Sequence, residues 1–170
     1  MEIEIQKLDI KDFKKLYEFE FKNKDFFEKL IPPRDQDYYD FEKFKDKNKV
    51  LLNEQDEGIS YYFLIKDSTG SIIGRINLVD IDSVNKTGYL GYRVGEKNTR
   101  KGVAKKALKI LLEIALSNGI KVIKAKTTDN NIASQKILEH NGFTKINSPN
   151  KEFEMNGMRL KFVNYEWYNI

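Results

Sequence analysis

The chain has 170 residues, enough for one domain with a real core; it has no cysteine and a single histidine, His140, so disulfides, thiolate metal sites and His-rich zinc sites are excluded. Its net charge of +4 is the difference between 30 basic and 26 acidic residues mixed along the chain, which reads as a solvated surface and not as a nucleic-acid interface. No apolar run could span a bilayer, and MEIEIQKLDI has acidic residues and alternation where a secretory leader has a basic start and an apolar block, so a cytoplasmic single domain over residues 1–170 with no membrane partner is expected.

Ile3, Ile5 and then Leu8 alternate as a strand does, and Phe13, Leu16, Tyr17 and Phe21 follow at helical spacing, with Asp9 or Asp12 placed to cap. Pro32-Pro33 breaks that pattern, and a second helix is predicted from about Asp37 to Leu52. The period then shortens. Ser60 to Lys66 and Ile72 to Leu78 read as a hairpin linked by Asp67-Ser68-Thr69-Gly70, and a turn around Asp82 to Lys86 leads into a strand from Gly88 to Val94. Next comes a long helix with Ala104, Ala107, Leu108, Leu111, Leu112 and Ala115 on one side and Lys105, Lys106, Lys109 and Glu113 on the other, ended by Asn118-Gly119. Lys121 to Lys126 reads as a strand, Asn131 to His140 as a short helix, and Phe143 to Ile146 and Arg159 to Tyr168 as closing strands joined by a polar loop with Pro149 and Gly157. This order predicts an α/β (α+β) fold with a mixed sheet.

Between the Gly88 strand and the long helix lies Asn98 to Ala104, NTRKGVA. A loop there points backbone N–H groups at one spot, on a helix N-terminus whose dipole favours negative charge, so it forms a candidate phosphate seat. Gly102 has no Cβ to hold a ligand away and Ala104 a small one. The spacing fits neither the GxxxxGK[ST] nucleotide loop nor the GxGxxG dinucleotide loop. Taken alone, Gly-x-Ala fits an ordinary strand-to-helix turn equally well.

Two stretches at the right separation carry a resemblance. GYRVGEKNTRKGVAKKAL and TTDNNIASQKILEHNGF, the second with Asn131, Ser134, Gly142 and Phe143, are similar to the two motifs of the GCN5-related N-acetyltransferase (GNAT) superfamily, nearest to the ribosomal-protein N-terminal acetyltransferase branch. The resemblance implies a central mixed, mostly antiparallel, twisted sheet flanked by helices. It also implies direct acetyl transfer from acetyl-CoA, without a metal, to an amine acceptor that is a peptide N-terminus or a small molecule, by a monomer or homodimer. A CoA-binding regulatory or degenerate member without turnover is the alternative.

The same resemblance assigns residues. Tyr92, Arg93 and Val94 would line the pantetheine arm; Thr99, Arg100, Lys101, Gly102, Val103 and Ala104 would cradle the pyrophosphate. Thr99 stands where the family often has Gln or Arg. The Val94 N–H would serve the carbonyl oxygen. Leu138 replaces the tyrosine that many relatives use as an acid, leaving Ser134 as the donor to the departing sulfur. Asn131 reads either as a cofactor ligand or as a helix N-cap, and Ser134 either as a functional hydroxyl or as part of the capping turn. Relatives with a strand base carry it near Tyr89, where this chain has no carboxylate; Glu18, Glu20 and Glu96 are the remaining candidate bases, each read more simply as a surface residue, and no base is assigned. Acceptor selection is expected from Phe19 to Tyr39, with Phe21, Phe26, Phe27, Arg34, Tyr38 and Tyr39, about half of those rings serving the core. His140 reads as a helix-end residue.

Overall fold

The computed structural model describes residues 1–149 and 151–169. In chain order the elements are β1 (Ile3–Lys7), α1 (Phe13–Lys22), α2 (Lys24–Glu28), α3 (Phe41–Asp56), β2 (Tyr61–Asp67), β3 (Ile72–Asp82), β4 (Thr87–Val94), α4 (Val103–Ser117), β5 (Val122–Thr128), α5 (Ile132–His140), β6 (Thr144–Ile146), β7 (Glu152–Met155) and β8 (Met158–Tyr168). The sheet runs β1-β2-β3-β4-β5-β8-β6, with β7 paired to β8. Only the β4–β5 pair is parallel among these, and a parallel pair needs a crossover, which α4 supplies.

Each sheet face buries its own apolar layer. On one, α4 packs Leu108 and Leu111 against Ile76, Leu78 and Ile123; on the other, α1 and α3 bring Leu16 and Phe44 onto Leu64. Strand alternation sorts the side chains. Tyr92 and Val94 join the α4 layer, and Arg93 between them projects to the α1 face with Arg75, its register partner on β3.

Turn chemistry fixes the β2–β3 and β3–β4 links where expected. Asp67 Oδ1 accepts from the N–H groups of Thr69 and Ser71, and Asp82 Oδ1 from those of Val84 and Asn85. At the helix boundaries the sequence reading shifts. Asp9, not Asp12, caps the turn before α1; Asp12 is buried in an ion pair with Lys66 at 3.1 Å. A 3-10 turn over Gln36–Tyr39 occupies the start assigned to the second helix, so α3 begins after Asp40, whose carboxylate accepts from Lys43 N–H. Within α4 it is Val103, not Ala104, that is the first buried residue.

Three expectations fail outright. The buried stripe of α1 is Phe13, Leu16, Phe19 and Glu20, whereas Phe21 is 57 % exposed, because a carboxylate occupies a core-facing position of the helix. The short helix α2 was not expected. The stretch after Pro149 is not all loop: β7 and β8 form a hairpin closed by Asn156-Gly157, both left-handed at φ 53° and 75°, the geometry of a type I′ turn. Asn156 Nδ2 donates to the carbonyls of Glu28 and Lys29, seating the hairpin on the end of α2.

Candidate active site

Within NTRKGVA, Arg100 and Gly102 are left-handed, at φ 60° and 75°. This twist separates the loop into two parts. The N–H groups of Asn98 and Thr99 turn inward, onto the carbonyls of Gly95 and Glu96, and the Thr99 hydroxyl joins them at 2.8 Å from the Glu96 oxygen. Thr99 therefore shapes the loop and presents neither donor outward. From Arg100 to Lys105 the N–H groups have no backbone acceptor among the described residues, and they open onto the N-terminus of α4. A Cβ built on Gly102 would meet no atom within 4 Å, so the space before the loop is clear. Unpaired donors, a helix N-terminus and open space are what a pyrophosphate requires.

The loop opens next to a gap in the sheet. β4 and β5 pair from Thr87↔Val122 to Tyr89↔Lys124 and then part, β5 continuing along β8 as far as Thr128↔Phe162. Gly95 N–H donates to Ile73 on β3 at 2.9 Å, and backbone groups alternate along an antiparallel strand. Tyr92 and Val94 therefore aim their N–H groups away from β3 and into the gap. An extended ligand can add to such an edge as a strand would.

Across the gap stands α5. The Asn131 side chain accepts from Ser134 N–H at 3.1 Å, which makes Asn131 the N-cap of this helix. Ser134 Oγ lies 2.8 Å from the Tyr92 hydroxyl, a contact that the sequence reading did not foresee. Burial raises the Tyr92 hydroxyl above its ordinary value of 10, and the Ser134 hydrogen bond offsets this in part. The pair is thus neutral near pH 7, and once one hydroxyl donates to the other a single O–H remains free to donate. Leu138, one turn further on, is 1 % exposed in the core and takes no part; His140 is exposed at the helix end.

On the α1 face the largest correction appears. Glu20 is not a surface residue: it is fully buried, with Arg75 at 3.0 Å, Arg93 at 3.2 Å and Arg34 at 3.8 Å from its carboxylate. Burial opposes its ionisation, but the three guanidinium groups outweigh burial and hold the carboxyl below its ordinary value. The Tyr38 hydroxyl accepts from Arg75 at 3.3 Å, and the Arg34 guanidinium lies 4.1 Å from the centre of the Tyr38 ring. Arg93, assigned to the cofactor by the sequence reading, has its side chain in this cluster, 4.9 Å over the Phe27 ring, and its backbone pairs with Arg75 on β3, so it does not face the gap. Of the expected acceptor-side rings, Phe27 and Tyr38 are buried, Phe26 and Tyr39 partly so, and Phe21 is exposed. Glu18 and Glu96 are exposed as expected. Among the described residues no group of three or more His, Cys, Asp or Glu could hold a metal ion, and no helix is long and apolar enough to cross a membrane.

Known proteins are similar to this chain over nearly its whole length. The family model described as an acetyltransferase (GNAT) domain matches residues 2–144. A probable N-acetyltransferase, YjcK, from Bacillus subtilis is 24% identical over 159 residues, 92% of this chain and 88% of the relative. Among solved structures, the ribosomal-protein-S5-alanine acetyltransferase from Vibrio fischeri superposes with a TM-score of 0.91 at 19% identity, covering 99% of this chain and 94% of its own. The ribosomal-protein α-N-acetyltransferase RimL in complex with coenzyme A does so with a TM-score of 0.86 at 21% identity, covering 98% and 93%. At these identities the superpositions show the fold.

Proposed function

The chain belongs to the GNAT acetyltransferase family, and from that premise we propose that it is a cytoplasmic enzyme transferring an acetyl group from acetyl-CoA directly to a primary amine, a protein N-terminus or a small molecule. The observation that carries this reading is that three features gather around the end of β4: unpaired N–H groups from Arg100 to Lys105, the β4–β5 gap, and the Tyr92–Ser134 hydroxyl pair. Acetyl-CoA would supply a thioester: the neutral amine attacks its carbonyl carbon, the C–S bond breaks as the C–N bond is kept, and CoA leaves as the thiolate or thiol.

Each group then has one task. The loop N–H groups from Arg100 to Ala104 hold the pyrophosphate, with Gly102 allowing close approach. Val94 N–H, aimed into the gap, donates to the carbonyl oxygen as charge grows there, a preorganised contact worth roughly 3 kcal/mol in the transition state. Ser134, held by Tyr92 and by the Asn131 cap, donates to the leaving sulfur. No carboxylate of the chain is assigned as base: Glu20 is held charged by three arginines, which lowers its basicity. Deprotonating the amine costs about 1.4 kcal/mol per unit by which its pKa exceeds the pH, a barrier that water can carry for an amine near neutrality.

Release of free CoA from acetyl-CoA, followed by thiol titration over a panel of primary amines, tests the reading. Turnover above the hydrolysis background with at least one amine is expected. Tight acetyl-CoA binding without turnover on any amine would instead leave a CoA-binding protein that does not catalyse.

A further inference from the structure

One buried carboxylate facing three guanidinium groups leaves positive charge unmatched. Glu20 is the sole carboxylate among the described residues within ion-pair distance of Arg34, Arg75 or Arg93, so the cluster carries a formal surplus of two positive charges. Its donors are unmatched as well. The Nε groups of Arg75 and Arg34 are buried and have no hydrogen-bond partner, although Arg75 is only 5 % exposed overall. Buried charge and buried donors left open in this way destabilise a fold unless something completes them. Burial together with Arg34 and Arg75 lowers the Arg93 pKa against the pull of Glu20, as crowding of like charge should.

The cluster is accessible from one side. The Arg34 side chain is 30% exposed and that of Arg93 20%, whereas those of Arg75 and Glu20 are 6% and 0%. That rim adjoins the reaction centre. Arg93 precedes Val94, with α-carbons about 3.8 Å apart, and its side chain leaves the sheet on the face opposite α4. With the donor held by the α4 loop, a second reactant approaches the gap from the α1 face, past Arg93 and Arg34.

We propose that Arg34, Arg93 and Arg75 form an anion seat for the acceptor, so that the preferred amines carry a carboxylate or phosphate within an arginine's reach of the nucleophilic nitrogen. The seat rests on the acetyltransferase reading for its purpose and on its own geometry for its existence. An anion against the exposed guanidinium groups of Arg34 and Arg93 offsets the surplus charge, which Arg75 reinforces from beneath, and guanidinium forks suit both oxyanions. The same surplus repels polycationic amines, which excludes polyamines as preferred acceptors.

The test has two arms. In the first, kcat/KM is compared for Asp-Ala-amide against Asn-Ala-amide and for phosphoethanolamine against ethanolamine, with the wild type and R34Q. The anionic member should lead in at least one pair by about tenfold or more, and R34Q should remove most of that lead through KM. The pair that responds tells carboxylate from phosphate. Equal or better use of the neutral member in both pairs, or an unchanged lead in R34Q, overturns the assignment. The second arm needs no turnover: CoA-saturated protein is titrated with inorganic phosphate while the arginine Nε–H NMR signals are followed. Saturable shifts of Arg34 and Arg75, weakened about tenfold or more in R34Q, are expected. Such shifts without acetylation of any amine would keep the seat and remove the transferase reading; absence of shifts at saturating phosphate would remove the seat.

Discussion

Gly102 joins two requirements that substitutions can separate. Its φ of 75° strains any β-carbon, and its place at the start of α4 sets whatever side chain stands there against a bound pyrophosphate. Asn and Asp have similar shape and both tolerate left-handed backbone better than other residues, so they share the strain and differ in charge. Gly102→Asp is therefore expected to bind CoA at least roughly tenfold more weakly than Gly102→Asn, by calorimetry at low salt, with the difference shrinking as salt rises. Equal affinities would mean that the loop does not face phosphate. A second pair tests the gap. Ser134 and Tyr92 share one 2.8 Å contact, so Ser134→Ala and Tyr92→Phe remove the same link from opposite ends. Each should lower kcat by about tenfold or more while CoA affinity stays nearly constant, and the double variant should be little worse than the Ser134 variant, because residues that act as a unit are not additive. Full activity in Ser134→Ala would remove the hydroxyl from the reaction.

Elements follow the sequence closely where local chemistry decides and poorly where a distant partner does. The hairpin turns at Asp67 and Asp82, the α4 stripe and the NTRKGVA loop rest on residues within a few positions of each other, and each was legible. Tyr92 and Ser134 are separated by 42 residues, and no local spacing indicates that their hydroxyls meet. The Glu20 cluster joins α1, β3, β4 and the segment before α3, so a glutamate among phenylalanines looked like a solvent-facing residue. One long-range feature does carry a local signal: Asn156-Gly157 between two apolar-containing runs is the strongest short hairpin signature, and it marks β7 and β8. The two functions of Asn156, left-handed backbone and the bonds to Glu28 and Lys29, predict that Asn156→Ala destabilises the hairpin by about 1–2 kcal/mol. Faster amide exchange confined to β7, the end of β8 and α2 would register it; unchanged protection of α2 would show that the hairpin does not hold that helix.

At the scale of the whole molecule, the Glu20 cluster ties the helical layer on one face to the two strands that lead to the reaction centre. Removing its one carboxylate leaves three guanidinium groups facing each other in a buried site, a change that typically costs about 3–5 kcal/mol. Glu20→Gln is thus expected to lower unfolding free energy by that amount at pH 7, measured in urea. Because the folded carboxyl titrates below its ordinary value of 4.5, its contribution is fully present above that value and disappears as pH falls through the lower folded value. Asp67 and Asp82, whose pKa values are lowered by turn hydrogen bonds, titrate in both proteins and cancel in the comparison. The gap between wild type and Glu20→Gln should therefore be constant from pH 7 down to about 5 and narrow on further acidification. A gap that widened towards acid would mean that Glu20 is protonated in the native protein near neutrality, and a gap near zero at pH 7 would mean that the arginines are held apart by something other than this carboxylate.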